Sequence, residues 1–250
     1  IPNFSYKRSY MNESEHELIG DFLGGEGSTF EKVNRFMELM TRYDCAIREV
    51  RTKFEVLNEE LSYKAGRNPI ESITSRVKKP VSIVGKLKRL GKPITIEAIS
   101  EYLNDVAGIR VICPFIDDIY KVAEMLAVQD DITVVQVKDY IRKPKPNGYR
   151  SYHMIVEIPV FFSEGKRMMR VEIQLRTVAM DFWASLEHQM KYKKESADRP
   201  EIAAELKSCA ETIVATDARM LGIRKRIESL EKQTEDEKED AMPAGVRQFW

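Results

Sequence analysis

The sequence predicts an α/β protein of the α+β kind: a mixed, partly antiparallel β-sheet covered by helices, with a long helix at each end. Three observations lead there. Apolar residues recur at helical spacing through Phe30, Val33, Met37, Met40, Ile47, Val50, Phe54, Leu57 and Leu61. They do so again through Ile202, Leu206, Ile213, Met220, Ile223, Ile227 and Leu230. Between these stretches lie one strand-like run, a short amphipathic helix and three further strand-like segments, and a sheet with helices packed on it buries them all.

Taken in order, residues 1–27 show no sustained periodicity and read as a loose arm. Ser28-Thr29-Phe30-Glu31 forms a capping box that starts the first helix. Gly66 and Pro69 end it, and the pattern fits one long helix or two broken near Asp44. Residues 71–103 read as helical, interrupted by Pro80 and Pro93. Gly108–Cys113 suits a buried strand stopped by Pro114, and Asp117 to Gln129 an amphipathic helix. Strands follow at about 132–140, 152–159 and 168–175, the last two flanking the hairpin turn Ser163-Glu164-Gly165-Lys166. From Thr177 a helix carries Phe182, Leu186 and Met190 on one side, and Pro200 opens the last helix. Its end is acidic, with seven Asp or Glu against two Lys over residues 228–240. The terminal helices carry more apolar stripe than one small sheet covers, so a homo-oligomer is expected.

Composition narrows the class. Forty basic and forty acidic residues cancel over 250 positions, so no global field draws the molecule to nucleic acid or membrane, and anion sites must be local clusters. Cys45, Cys113 and Cys209 are too few and too scattered for a disulfide framework or a C-x-x-C metal site, which points to a reducing, cytoplasmic setting. The opening I-P-N-F-S-Y-K-R lacks the apolar core of a signal peptide, and no apolar run is long enough to span a bilayer.

The chemistry concentrates in four places. In the strand R-V-E-I-Q-L-R, alternation puts Val171, Ile173 and Leu175 on one face and Arg170, Glu172, Gln174 and Arg176 on the other. A carboxylate between two arginines stays ionised, as a metal ligand should; the plainer reading is a solvated edge face. Arg76 to Lys92 holds seven basic residues and no acidic ones in 17 positions, with Lys86 and Arg89 three apart on a helix. Such a run suits a polyphosphate. Lys138 to His153 forms a basic loop around Pro144, Pro146, Asn147 and Gly148, with Tyr149 and Tyr152 as flat faces for a base. Asp105 stands just before the Gly108–Cys113 strand, and with Glu172 gives two carboxylates at strand ends, which phosphate transfer needs for Mg²⁺.

Together K-D-Y-I-R-K-P-K-P-N-G-Y-R-S-Y-H, V-E-I-Q-L-R-T, D-F-W-A-S-L-E-H-Q-M-K-Y-K and D-V-A-G-I-R resemble the synthetase domain of the RelA/SpoT-type alarmone enzymes, over roughly residues 70–195. The chain length resembles the single-domain small alarmone synthetases. The resemblance implies a nucleotidyltransferase-like fold, one synthetase domain over 28–235 and an acidic tail over 236–250. It implies transfer of the β,γ-pyrophosphate of ATP to the 3′-hydroxyl of GDP or GTP, giving ppGpp or pppGpp and AMP. Asp105 and Glu172 would bind Mg²⁺, Glu172 also acting as base. Arg76 and Arg110 would contact adenine, and Lys78, Lys86 and Arg89 the ATP phosphates. Tyr149 would stack on guanine, with Lys145, His153 and Gln174 near the guanine nucleotide's phosphates. Lys138 belongs to a short basic motif in which Gln136 replaces a frequent Arg, leaving the choice of GDP or GTP open. Asp181 stands where relatives often have Asn and would contact the guanine edge. The resemblance also suggests a homotetramer.

The histidines His16, His153 and His188 are dispersed and no His-Asp pair occurs, so the sequence offers nothing for a metal-dependent hydrolase domain. His188 reads as a packed or hydrogen-bonded helix residue. Rival readings are a non-catalytic nucleotide- or RNA-binding regulator, a transferase acting on another 3′-hydroxyl such as a tRNA end, and a helical interaction protein. The two retained acids speak against the first, and the polar sheet face against the last.

Overall fold

The computed structural model describes residues 28–191 and 200–241; the expected arm over 1–27 and the last nine residues of the acidic tail lie outside these. Ser28 caps helix α1 (Thr29–Ala65): its hydroxyl accepts from the Glu31 amide while the Glu31 carboxylate accepts from the Ser28 amide. α1 runs unbroken past Asp44 and ends at Gly66, whose φ of 65° is the left-handed cap that glycine adopts without strain. Then come β1 (Ser72–Val77), α2 (Pro80–Arg89), α3 (Ile96–Tyr102), β2 (Ala107–Cys113), α4 (Ile116–Ala127), β3 (Thr133–Asp139), β4 (Tyr152–Phe162), β5 (Gly165–Thr177), α5 (Val178–Lys191) and α6 (Pro200–Ala241).

Residues 72–77 depart from the helical expectation for 71–103. Ile73 and Val77 are four apart, which fits a helix, but they are also an even number apart, which fits one face of a strand. Pairing decides: β1 lies antiparallel to β2, Arg76 opposite Gly108 and Thr74 opposite Arg110. Helix α2 then begins at Pro80, where the missing amide proton costs nothing.

The five strands form one sheet in the order β1-β2-β5-β4-β3. β2 and β5 are parallel, with Gly108 opposite Glu172 and Arg110 opposite Gln174; every other pair is antiparallel. The apolar face carries Val171, Ile173 and Leu175, all fully buried, and packs with Ile47, Val50 and Phe54 of α1 and Ile119, Val122 and Leu126 of α4 in one core. A smaller cluster of Trp183 and Ala184 (α5) with Leu206 and Ala210 (α6) sits apart and takes in Tyr149. On α5 the core-facing residues are Met180, Trp183 and Ala184, while the predicted stripe of Phe182, Leu186 and Met190 is exposed. Met220, Ile227 and Leu230 of α6 are exposed as well. No helix among the described residues is long and apolar enough to cross a membrane.

Candidate active site

The polar face of the sheet is laid out in rows by strand register. One row crosses Arg76, Gly108, Glu172 and Ile155; the next crosses Thr74, Arg110, Gln174, His153 and Lys138. Alternation therefore brings together residues distant in sequence. A cleft of about 230 Å³ opens between β1, β2 and β5, lined by Arg76, Asp105, Gly108, Arg110, Glu172 and Gln174 among others. Gly108 lines it without a side chain, and an added Cβ would sit in ordinary contact, 3.7 Å from the Arg76 carbonyl oxygen.

Asp105 arrives at the cleft on the short connection from α3 to β2. Its Oδ2 accepts from Lys78 Nζ at 2.7 Å and lies 2.8 Å from Lys86 Nζ. Its Oδ1 is buried with no hydrogen-bond partner. Burial pushes the Asp105 pKa up, but the two lysines outweigh it and hold the carboxyl below its ordinary range. Such an orphaned, ionised oxygen suits a hard divalent cation.

Glu172 also stays ionised, though not by the arginines the sequence suggested. Arg170 turns to its cross-strand neighbour Glu157 at 2.8 Å and to Asn104 at 3.1 Å. Arg176 bonds to Asp181, Tyr149 and Gln174 instead. Arg170 takes a cross-strand partner, whereas Gln174 bridges its two same-face neighbours on β5, Glu172 and Arg176. Gln174 Nε2 donates to Glu172 Oε2 at 2.9 Å, and His153 Nδ1 lies 3.6 Å from Oε1. Burial raises the Glu172 pKa, the contacts from His153 and Gln174 lower it by more, and the net shift is downward. The nearby Asp105 charge works the other way, which places the two carboxylates within electrostatic reach.

The basic loop after β3 is held on three sides. Asp139 accepts from the amides of Ile141 and Arg142, Asn147 donates to Glu187 of α5, and Arg150 donates to the Ile141 carbonyl. Gly148 adopts φ 89° and packs on α6 so closely that a Cβ there would come within 2.6 Å of Ala210. Tyr149 bonds through its hydroxyl to His153 Nε2 at 2.9 Å and accepts from Arg176 at 2.8 Å. Lys145 Nζ stands 4.7 Å from the Tyr149 ring centre and 4.9 Å from that of Tyr140.

Of the residues singled out in sequence, Asp105, Glu172, Arg76, Arg110 and Gln174 share the cleft, with Lys78 and Lys86 at its edge on Asp105. Tyr149, His153 and Asp181 join it through Arg176. Lys138 stands exposed on β3 opposite His153, and Arg89 is exposed on the outer side of α2. His188 is exposed on α5. Sequence reading passed over Arg176 as a hub and Asn104 as the anchor of Arg170. The second had no signal; the first was visible as the one basic residue of β5 whose neighbours on the next helix include an acid.

Among the described residues, no three His, Cys, Asp or Glu side chains converge as a metal centre. The two cleft carboxylates nevertheless fit a magnesium ion that also takes phosphate and water oxygens, since Mg²⁺ is commonly bound through one or two carboxylates.

Comparison with known proteins agrees with this geometry. Residues 75–197 match a family model described as a region found in RelA / SpoT proteins. The chain is 46% identical over 186 residues to the GTP pyrophosphokinase YwaC of Bacillus subtilis, covering 74% of this chain and 89% of that one. It is 36% identical over 186 residues to YjbM of the same organism, named likewise, covering 74% and 87%. Among solved structures, small alarmone synthetase 2 of B. subtilis superposes with a TM-score of 0.70 at 44% identity, over 76% of this chain and 98% of that one. Small alarmone synthetase 1, bound to its product pppGpp, gives 0.69 at 37% identity over 78% and 99%. The chain belongs to the RelA/SpoT family and, within it, to the small alarmone synthetases.

Proposed function

We propose that the chain is an ATP:GTP 3′-pyrophosphokinase that moves the β,γ-pyrophosphate of ATP onto the 3′-hydroxyl of GDP or GTP, forming ppGpp or pppGpp and AMP. The observation that carries the reading is the pair of ionised carboxylates, Asp105 and Glu172, facing one cleft among Arg76, Lys78, Lys86 and Arg110, with Asp105 Oδ1 unpartnered. Transfer at phosphorus asks for positioning and charge neutralisation rather than a protein nucleophile, and this cleft supplies the charges.

Arg76 and Arg110 hold the adenine end of ATP. Lys78 and Lys86, now on Asp105, exchange part of that contact for the triphosphate, and Arg89 reaches it from the outer side of α2. Tyr149 stacks on guanine; Lys145, His153 and Gln174 meet the phosphates of the same nucleotide, with Lys138 at the rim and Asp181 beyond Tyr149. Asp105 Oδ1 and the Glu172 carboxylate would hold Mg²⁺, which when bound withdraws charge from the phosphate oxygens. Glu172 accepts the proton of the attacking hydroxyl. Its lowered pKa makes it a weak base but a dependable anion, so charge placement outweighs proton abstraction in its contribution.

We also place the enzyme in the cytoplasm as one synthetase domain over 28–235, assembled as a homotetramer. The exposed stripes on α5 and α6 support assembly, and light scattering on the purified chain tests it. For the activity itself, labelled ATP is incubated with Mg²⁺ and GDP, GTP or deacylated tRNA. A labelled 3′-pyrophosphorylated guanine nucleotide is expected; label on tRNA alone, or on no acceptor, overturns the reading.

A further inference from the structure

Asp181, on the first turn of α5, is the meeting point of two arginines. Its Oδ1 accepts from Arg176 at 2.8 Å and lies 3.2 Å from Arg110. Arg110 comes from β2 and lines the cleft beside Asp105 and Glu172. Arg176 comes from the end of β5, is almost wholly buried, and passes one nitrogen to the Tyr149 hydroxyl at 2.8 Å and to Gln174 at 3.0 Å. Its carbon centre also stands 5.2 Å from the Tyr149 ring centre. An unbroken chain of charged contacts thus runs Arg110–Asp181–Arg176–Tyr149, from the cleft to the basic loop.

Two guanidiniums this close repel one another, and each has a buried Nε without a partner, so both depend on what charge the remaining nitrogens find. Asp181 supplies that charge to both through a single oxygen. A carboxylate so engaged ties two protein cations together through one oxygen. An amide at this position would keep the shape and lose the charge.

We propose that Asp181 is a positioning residue that clamps Arg110 and Arg176 together and thereby sets the geometry of both nucleotide subsites at once, rather than reading guanine. The assignment of Arg110 to one nucleotide and Tyr149 to the other rests on the function proposed above. The clamp explains how an acid is accommodated in a basic cleft. It also makes the two subsites energetically dependent: what loosens Arg110 also loosens the support of Tyr149.

The test is Asp181→Asn in the full chain, beside Arg110→Gln and the double variant, with kinetics on ATP, GDP and IDP. IDP lacks the exocyclic amine that a guanine-reading carboxylate would bind. The clamp predicts that Asp181→Asn raises KM for ATP and for GDP alike, by about 5- to 20-fold, while the kcat/KM preference for GDP over IDP stays within about twofold. It predicts further that adding Asp181→Asn to Arg110→Gln raises KM for ATP no more than about twofold, because the two act as a unit. A loss confined to GDP, with a preference over IDP that collapses by about tenfold or more, identifies a guanine contact and overturns the proposal. Full additivity on ATP overturns it equally. Calorimetric titration of each variant with AMPCPP and with GDP reads the same shifts without turnover. A wild-type chain that makes no 3′-pyrophosphorylated product would overturn the function reading, while these titrations still decide the clamp.

Discussion

Two clusters of acids and cations in the molecule differ in one respect. In the cleft, Asp105 is met by two lysines on one oxygen, and the other oxygen is left without a hydrogen bond. At the junction of α1, α4 and α6, Asp118 is 1% exposed and both its oxygens are taken by the fork of Arg67, at 2.9 Å and 2.7 Å. Arg224 of α6 forks in the same way onto Asp117, and the ring of Phe115 lies within 5.9 Å and 4.6 Å of the two guanidiniums. A guanidinium saturates a carboxylate; an ammonium is a point charge that neutralises it and leaves lone pairs for something else. The saturated cluster fastens three helices, whereas the unsaturated one leaves a carboxylate oxygen open.

The comparison can be broken from the functional side first. Glu172→Gln should lower turnover by about 10⁴-fold with little change in ATP affinity or melting temperature; near-normal product formation would show that this carboxylate is as structural as Asp118. The converse substitution, Asp118→Ala, strands Arg67 and should cost about 3 kcal/mol in urea denaturation while kcat of the folded enzyme is kept. A large loss of kcat at unchanged stability would erase the distinction. Lys78→Arg carries the fork into the cleft. It should reduce kcat/KM for ATP about tenfold without lowering the melting temperature, because the guanidinium competes for Asp105 Oδ1.

The smallest effect concerns Asp217 of α6, which accepts from the Thr177 hydroxyl at 2.6 Å. Burial raises its pKa above the ordinary carboxylate value. The folded state therefore binds this proton more tightly than the unfolded chain, so Asp217's contribution falls as pH rises from the ordinary carboxylate pKa through the raised one. Asp217→Asn should flatten that slope, read as melting temperatures between pH 4 and 7. An unchanged slope would mean that Asp217 binds its proton no more tightly in the folded chain than in the unfolded one.

Periodicity made most of this architecture legible. The capping box, the Gly66 stop, the β4–β5 hairpin and the alternation of β5 all stand where local pattern put them, because each depends on residues adjacent in the chain. β1 escaped because the spacing of Ile73 and Val77 suits both periods, and only pairing with β2 separates them. The apolar stripe of α5 misled for a related reason: Phe182, Leu186 and Met190 form a continuous row, yet the face packed within the chain is that of Met180, Trp183 and Ala184. In the site, residue types were legible and partners were not. Nothing local says that Lys78 rests on Asp105, that Arg170 turns away to Glu157, or that Gln174 and His153 hold Glu172.

The parallel pairing of β2 with β5 has a consequence for how the enzyme comes into being. Asp105 leads into β2 and Glu172 lies in β5, and between those strands the chain must lay down α4, β3 and β4. The hairpin of β4 and β5 can close early because it is local, but the strand that brings Asp105 alongside must be recruited across a long loop, with its entropic cost. The two acids therefore meet only when the central sheet is complete. A nascent or half-folded chain carries its lysines, its basic loop and its hairpin before these two carboxylates stand side by side, so the activity proposed above waits on the pairing of β2 with β5.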